Sequence, residues 1–529
     1  MAKKSKSMLG FLKMEEDAEK GAAALKELLL SPDHHTGSVV RKDELPEDYL
    51  WPLVVKSVLK EIVDGWYYVS DGDPFDWDRP QYWSMAYWDF IAAYLESLYG
   101  ENWCLGADDS LLFHAANTKV PRSLTVRAAG QATHFVRLPA GGELLVVGAS
   151  VPAGAEPERR FGVRLYPLEH ALLAASPGFY LMHPMEARTC LSLVRDEDEV
   201  AAVAAREVLA GGAARVTGGL ISIGYPILAE NILQNLDCMK LRVEPENPFR
   251  EDVTVAPKDD SAIATRIRLM WSRMNDDVLD AESISFIHFT PRTPSEVKET
   301  MDRTRLEDAS TTLTLDGFKV TKDLARGAAE GSWDYDVLSR EAGEENVAAA
   351  TGYIDAYRLV QTDILDSLTG GADPRNMLER FPKWHRTLMK PFRDHQLLEE
   401  DACTLFRRKE LFIKDSDYIP VGPDEIPSAM MALGRLLPTE RNPFIRAVLG
   451  AFFLDYIRPV ERMSGVLARL YMNSQLISYG FPWIVIPEER HDDYRRALEE
   501  GFVDLKLDSF ADLINELVEK AGGLKVVSQ

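Results

Sequence analysis

Apolar residues recur along this chain with two different periods. Between Trp103 and Val151 they come in short runs split by Gly and Pro (SLTVRAA, HFVRL, ELLVVGAS), which predicts short strands. Upstream, Leu53 to Ser70 reads as a helix followed by an aromatic strand, with Asp64-Gly65 as the turn and Trp66, Tyr67, Tyr68 and Val69 as the strand. A helix running into a short hairpin suits the wing of a winged helix, and equally an ordinary αβ corner. Trp83, Tyr87, Phe90, Ala93 and Tyr94 fall on helical spacing, so Trp83 to Tyr99 reads as an aromatic core helix stopped by Gly100. Helical stretches follow in HALLAASPGFYLMHPMEARTCLSL, AAVAAREVLAGGAAR and GLISIGYPILAENIL, and dominate from about Ser261 to a last helix at Ser509–Ala521. The sharpest helical face is Leu467, Leu470, Tyr471, Ser474 and Ile477, stopped by Gly480 and Pro482. Pro245, Pro248 and Pro257 among acidic residues mark a linker. The pattern therefore predicts a multidomain chain: a flexible leader (1–45), an α+β region (46–245), a linker (246–260), an all-α domain (261–521) and a tail (522–529).

Composition narrows the function more than the fold. The chain has 529 residues, room for two or three domains, and a net charge of −24 from 60 basic and 84 acidic residues. Such a balance opposes broad binding to nucleic acid or anionic membranes, though not a local basic patch. No run of about 18 apolar residues is present, so no membrane span is expected. The start, MAKKSKSMLGFLKMEEDAEK, has too short an apolar core for a secretory signal, and Lys3, Lys4 and Lys6 read as a solvated tail. Cys104, Cys190, Cys238 and Cys403 show no CxxC spacing; they read as reduced, buried thiols of a cytoplasmic protein and offer no zinc site.

The candidate chemistry lies in the loop Arg458-Pro459-Val460-Glu461-Arg462-Met463-Ser464-Gly465, where the helix carrying Leu467 begins. A helix start offers unpaired N–H groups and partial positive charge, and so attracts phosphate. This stretch resembles the Fic (Fido) signature, His-Pro-Phe-x-(Asp/Glu)-Gly-Asn-Gly-Arg-x-x-Arg, at Pro459, Gly465 and Arg469. The resemblance extends over about residues 263–517. Thr312-Leu313-Thr314-Leu315-Asp316-Gly317 is similar to the family's inhibitory helix. Phe406 to Pro420, with Arg407, Arg408, Lys409 and Phe412, resembles its β-hairpin flap. Gly480-Phe481-Pro482-Trp483 through Pro487, then Arg490, Asp493, Tyr494, Ala497 and Leu498, matches the passage after the signature. Residues 46–245 resemble the regulator half of abortive-infection type IV antitoxins through KEIVDGWYYV, the Leu98–Val126 segment and RLYPLEHALLAASP. That likeness implies a winged-helix-like element and a nucleotidyltransferase-like region. Asp108-Asp109, at a helix start, reads as helix capping rather than as a metal pair.

The departures from the signature decide what the resemblance implies. Arg458 stands where the family's base is, and a guanidinium has no acceptor for a proton. Arg462 stands at the metal-holding carboxylate, Met463 at a glycine and Ser464 at the Asn. Asp316 stands for the inhibitory Glu and Val466 for the Arg with which that Glu pairs, so that pair is not expected to form. The expectation is a regulatory or partner-binding pseudoenzyme, of a toxin–antitoxin or phage-defence kind. Its loop would bind an ATP-like nucleotide or another phosphorylated ligand through Arg458, Arg462, Ser464, Gly465 and Arg469, without metal. A protein partner is expected; nucleic acid could enter only through residues 46–80, where Lys56 and Lys60 are the chief cations. Two alternatives stand beside it: an active transferase of altered chemistry, with Glu461, Asp455 or His491 as a replacement base, and a winged-helix transcriptional regulator.

Overall fold

The computed structural model describes residues 2–31, 34, 36–70, 81–117, 119–255, 261–280, 292–331, 335–398, 404–413 and 416–522. The chain divides into two compact units: residues 1–262 with 412–419, and 263–411 with 420–529.

The first unit is α+β. It opens with α1 (Ala2–Leu29), β1 (Val39–Arg41), α2 (Glu47–Val55), β2 (Leu59–Val63) and β3 (Trp66–Val69). The strands form an antiparallel sheet in the order β1-β3-β2. Two expectations change here. Within the expected flexible leader (1–45), the described end of α1 is packed: Leu25 is buried with Val40, Leu50 and Leu53, and Ala24, Leu28 and Leu29 pack against the same cluster. Leu59–Val63, read as the end of a helix, is a strand, because Ser57 turns the chain at φ 58° and the segment then pairs antiparallel with Trp66–Val69. Residues 71–80 lie outside the described residues.

Next come α3 (Gln81–Tyr99), β4 (Trp103–Leu105), α4 (Ala107–His114), β5 (Ser123–Ala128), β6 (His134–Arg137) and β7 (Glu143–Gly148). The expected short strands form a mixed sheet in the order β4-β5-β7-β6, with β5 parallel to β7. Trp83, Tyr87, Trp88 and Phe90 of α3 are buried in the same core as this sheet. Asp108 and Asp109 do not cap α4. Asp109 accepts from the Thr125 amide at 3.0 Å, and Asp108 accepts from the Ser176 amide and hydroxyl at 2.9 and 2.6 Å. They tie α4 to β5 and to the start of a later helix. Six short helices complete the unit: α5 (Leu168–Ala174), α6 (Pro177–Met182), α7 (Pro184–Leu193), α8 (Glu197–Arg206), α9 (Ala210–Ser222) and α10 (Pro226–Cys238). Within the expected linker (246–260), the Glu246 amide donates to Ala214, the Val255 amide donates to Ile223, and Phe249 is buried; residues 256–260 lie outside the described residues. Cys104 and Cys190 are buried as expected, but Cys238 is exposed at the end of α10; Cys403 lies outside the described residues.

The described elements of the second unit are helical: α11 (Ala262–Asp280), α12 (Pro294–Leu315), α13 (Lys322–Glu330), α14 (Tyr335–Ala342), α15 (Glu344–Leu368), α16 (Phe381–Asp394), α17 (Ile426–Leu436), α18 (Pro443–Ile457), α19 (Ser464–Ser478), α20 (His491–Asp504) and α21 (Asp508–Gly522). Every residue of α19 is buried, so this helix is the axis of the bundle rather than an amphipathic surface helix. The expected flap is not a hairpin among the described residues: 404–413 and 416–420 form no strand. Residues 404–411 belong to the second unit, whereas Phe412 packs against the aromatic core of the first. Arg407 is 3% exposed, where a surface cluster was expected; Arg408 and Lys409 are exposed. The tail from 523 lies outside the described residues. No described helix is long and apolar enough to cross a membrane.

Candidate functional site

Two left-handed residues shape the loop between α18 and α19. Arg458 ends α18 at φ 45°, and Met463 precedes α19 at φ 62°. Both conformations are unfavourable for side-chain-bearing residues, so the surroundings must hold them. Arg407 is one such hold. Its amide donates to the Pro459 carbonyl at 2.9 Å and its Nε to the Arg458 carbonyl at 2.8 Å. Its other guanidinium nitrogens donate to Lys409 and Val421 carbonyls. Ser464 is a second hold: its hydroxyl donates to the Val460 carbonyl at 3.0 Å, which turns it inward.

The centre of the site is Arg469, one turn into α19 and 5% exposed. Its Nε donates to the Thr312 hydroxyl at 2.6 Å, and its Nη2 donates to the Thr312 carbonyl at 3.1 Å and to Asp316 Oδ1 at 2.5 Å. The pair between Asp316 and position 466 is not formed, as expected, but Asp316 finds another cation. Asp316 pairs with Arg469, not with the position of Val466. Residues three apart on a helix share a face, so Arg469 presents its guanidinium where residue 466 has none. Gly465 leaves the room: a Cβ there would lie 2.8 Å from Asp316 Oδ1 and 3.0 Å from Arg469 Nη1. Asp316 thus reaches the first turn of α19, the place that favours an anion. Burial is the largest single influence and works to lower the Arg469 pKa, but Asp316, Tyr494 and Asp455 together outweigh it and hold the guanidinium above its ordinary value.

The other two loop arginines also face carboxylates. Arg458 Nη2 lies 2.8 Å from Asp455 Oδ1, and Arg462 Nη1 lies 3.2 Å from Glu345 Oε1. Asp455 is 2% exposed. Burial raises its pKa, against the pull of Arg458 and Arg469. Of the replacement bases considered, Asp455 is therefore enclosed and paired with Arg458. His491 is buried, with Nε2 3.3 Å from the Ile486 carbonyl, and Glu461 is half-buried on the loop.

One buried carboxylate beside the site escaped the sequence reading. Asp308 is buried on α12, and its Oδ2 accepts from the Tyr353 hydroxyl at 2.5 Å and from Trp483 Nε1 at 2.9 Å. Burial pushes its carboxyl up to about 6 despite both donors. Asp308, Thr312 and Asp316 recur every four residues, so one stripe of α12 carries every α12 group that grips Trp483 and Arg469. That spacing was the available signal. Trp483 belongs to the passage expected to follow the signature, and this bond fixes it to the stripe.

The loop does not fit a magnesium ion. Of its nearby carboxylates, Asp316, Asp455 and Glu345 each face a guanidinium, which leaves Glu461 on the loop, and Arg462 stands where the signature has a metal-holding carboxylate. Among the described residues no group of three or more His, Cys, Asp or Glu is placed to hold a metal.

No protein-family model matches the chain. Among curated proteins, it is 23% identical over 276 residues to "Protein adenylyltransferase Fic" of Nematostella vectensis, which covers 50% of this chain and 60% of that protein. It is 30% identical over 98 residues to the proteins of the same name from Drosophila sechellia and Drosophila melanogaster, covering 18% of this chain and 20% of each. Among solved structures it is similar to C. elegans Fic-1 (TM-score 0.34, 15% identity, 67% of this chain and 88% of that one). It is likewise similar to a Fic-domain-containing signalling protein of Bacteroides thetaiotaomicron (TM-score 0.34, 16% identity, 50% of this chain and 99% of that one). The match thus spans 60% or less of these curated relatives' length, and their names support kinship of this chain with Fic-domain proteins.

Proposed function

We propose that the second unit is a Fic-like module without proton-abstracting or metal chemistry, which acts by binding and is held closed by its own carboxylate. The observation that carries this reading is Asp316, seated on Arg469 beside Gly465 where a phosphate would otherwise be held. Arg458 at the base position cannot accept a proton and is itself neutralised by Asp455. Displacing Asp316 would release Arg469 and the first turn of α19 for a phosphorylated ligand, an ATP-like nucleotide among them; Arg458 and Arg462, each already facing a carboxylate, would add less. The relatives are named adenylyltransferases; this chain would keep their ligand class and lose their transfer step. The antitoxin-like reading of the first unit suggests a regulatory setting of the toxin–antitoxin or phage-defence kind. DNA binding by α2 has less support: its exposed face carries Glu47, Asp48 and Trp51, and Lys56 lies 3.6 Å from Glu15.

Incubation with labelled ATP and a cell lysate tests the pseudoenzyme reading. The wild type and Asp316→Ala should both leave the lysate proteins unlabelled. A labelled band that disappears in Arg469→Ala would establish the active-transferase alternative instead.

A further inference from the structure

The second unit carries an apolar groove that shares no residue with the Arg469 site. It encloses about 390 Å³, a volume typical of ligand-binding clefts. Leu378, Phe381, Phe406, Met430 and Met431 form its walls, and Gly434 of α17 lines its floor. Met431 is 57% exposed, and neighbouring Leu405, also in the lining, is 40% exposed. Methionine walls adapt to the shape of an incoming side chain and are common on surfaces that take amphipathic helices.

The rim charges say what kind of helix fits. Two charged residues line the groove, Arg375 and Glu379. Arg375 is already neutralised: its Nη2 and Nε donate to Asp373 Oδ2 at 2.7 and 3.0 Å. Glu379 is exposed and has no hydrogen bond or ion pair among the described residues. The groove therefore presents an apolar trough with one uncompensated carboxylate at its edge, on a chain of net charge −24. We infer that it docks a short amphipathic helix of a partner protein whose apolar face is bordered by Lys or Arg. Apolar anchors at i, i+3/i+4 and i+7 would enter the trough, and a flanking cation would meet Glu379. This inference does not rest on the ligand proposed for the loop at α19.

Fluorescence anisotropy on the full chain at physiological salt tests it with two labelled synthetic helices. Both carry Leu and Phe at i, i+3, i+4 and i+7; one has Lys at the remaining positions and the other Glu. The Lys peptide should bind, and Gly434→Leu should weaken it by roughly tenfold or more, because the new side chain fills the trough. Leu is a better helix former than Gly, and a Cβ at 434 meets only Leu378 Cδ2 at 3.8 Å, so this variant keeps the fold. Met431→Lys, a change at an exposed rim position, should weaken the same peptide, as should Glu379→Lys. The idea is overturned if neither peptide binds, if the Glu peptide binds equally well, or if Lys-peptide binding is indifferent to Gly434→Leu and Met431→Lys.

Discussion

Arg469 is a guanidinium almost wholly removed from water, and its hydrogen bonds go to Thr312 of α12 and to Asp316 at that helix's end, with the Tyr494 ring beside it. Breaking such a buried pair from one side leaves an uncompensated charge, which costs roughly 3–5 kcal/mol. Arg469→Met should therefore destabilise the second unit by about that amount in urea denaturation. The double variant Asp316→Ala/Arg469→Met should lose less than the sum of the two single changes, since neither charge is then stranded. Asp308 gives a second prediction at this scale. Its folded-state pKa of about 6 lies above the ordinary carboxylate value, so the folded protein binds the extra proton. The stability this group contributes is complete below about pH 4 and is lost as pH rises through about 6. Asp308→Asn should flatten that part of the stability-versus-pH curve; an unchanged slope would show that Asp308 does not titrate there. The Arg469–Asp316 pair was legible only in part. Matching residues to a signature column by column sends Asp316 to Val466, whereas helical geometry places residues 466 and 469 on one face and lets Arg469 serve.

At the scale of elements, the strands and helices with strong periodicity lie where the hydrophobic pattern put them, and the errors have physical causes. Leu59–Val63 was absorbed into α2 because Ser57, the residue that turns the chain, carries no Gly or Pro signal. Residues 406–420 were read as an exposed basic hairpin because three adjacent cations suggest a solvated face, yet Arg407 is spent on backbone carbonyls. Only a planar guanidinium can reach those acceptors together, so Arg407→Lys should cost roughly 2–4 kcal/mol and speed limited proteolysis within 404–411. In the first unit, Leu53 of α2 is fully buried while Trp51 is 68% exposed. Leu53→Ala should cost about 2–5 kcal/mol and Trp51→Ala within about 0.5 kcal/mol, measured by denaturation of the full chain. Equal effects would mean that α2 packs by its other face.

For the whole molecule, the division into an α+β unit and a helical unit followed from period and composition, while the state of the loop did not. Whether a cationic loop is open or filled depends on contacts between residues more than 150 positions apart, such as Thr312 and Arg469. In this structure Asp316 pairs with Arg469, and the proposed function has binding gated by Asp316. Isothermal titration of ATP and ADP into the wild type and Asp316→Ala, each with and without Mg²⁺, tests this most directly. The expected result is weak or undetectable binding to the wild type, clear binding to Asp316→Ala that does not depend on Mg²⁺, and loss of that binding on adding Arg469→Ala. No binding to Asp316→Ala at millimolar nucleotide, or binding that strictly requires Mg²⁺, would contradict it.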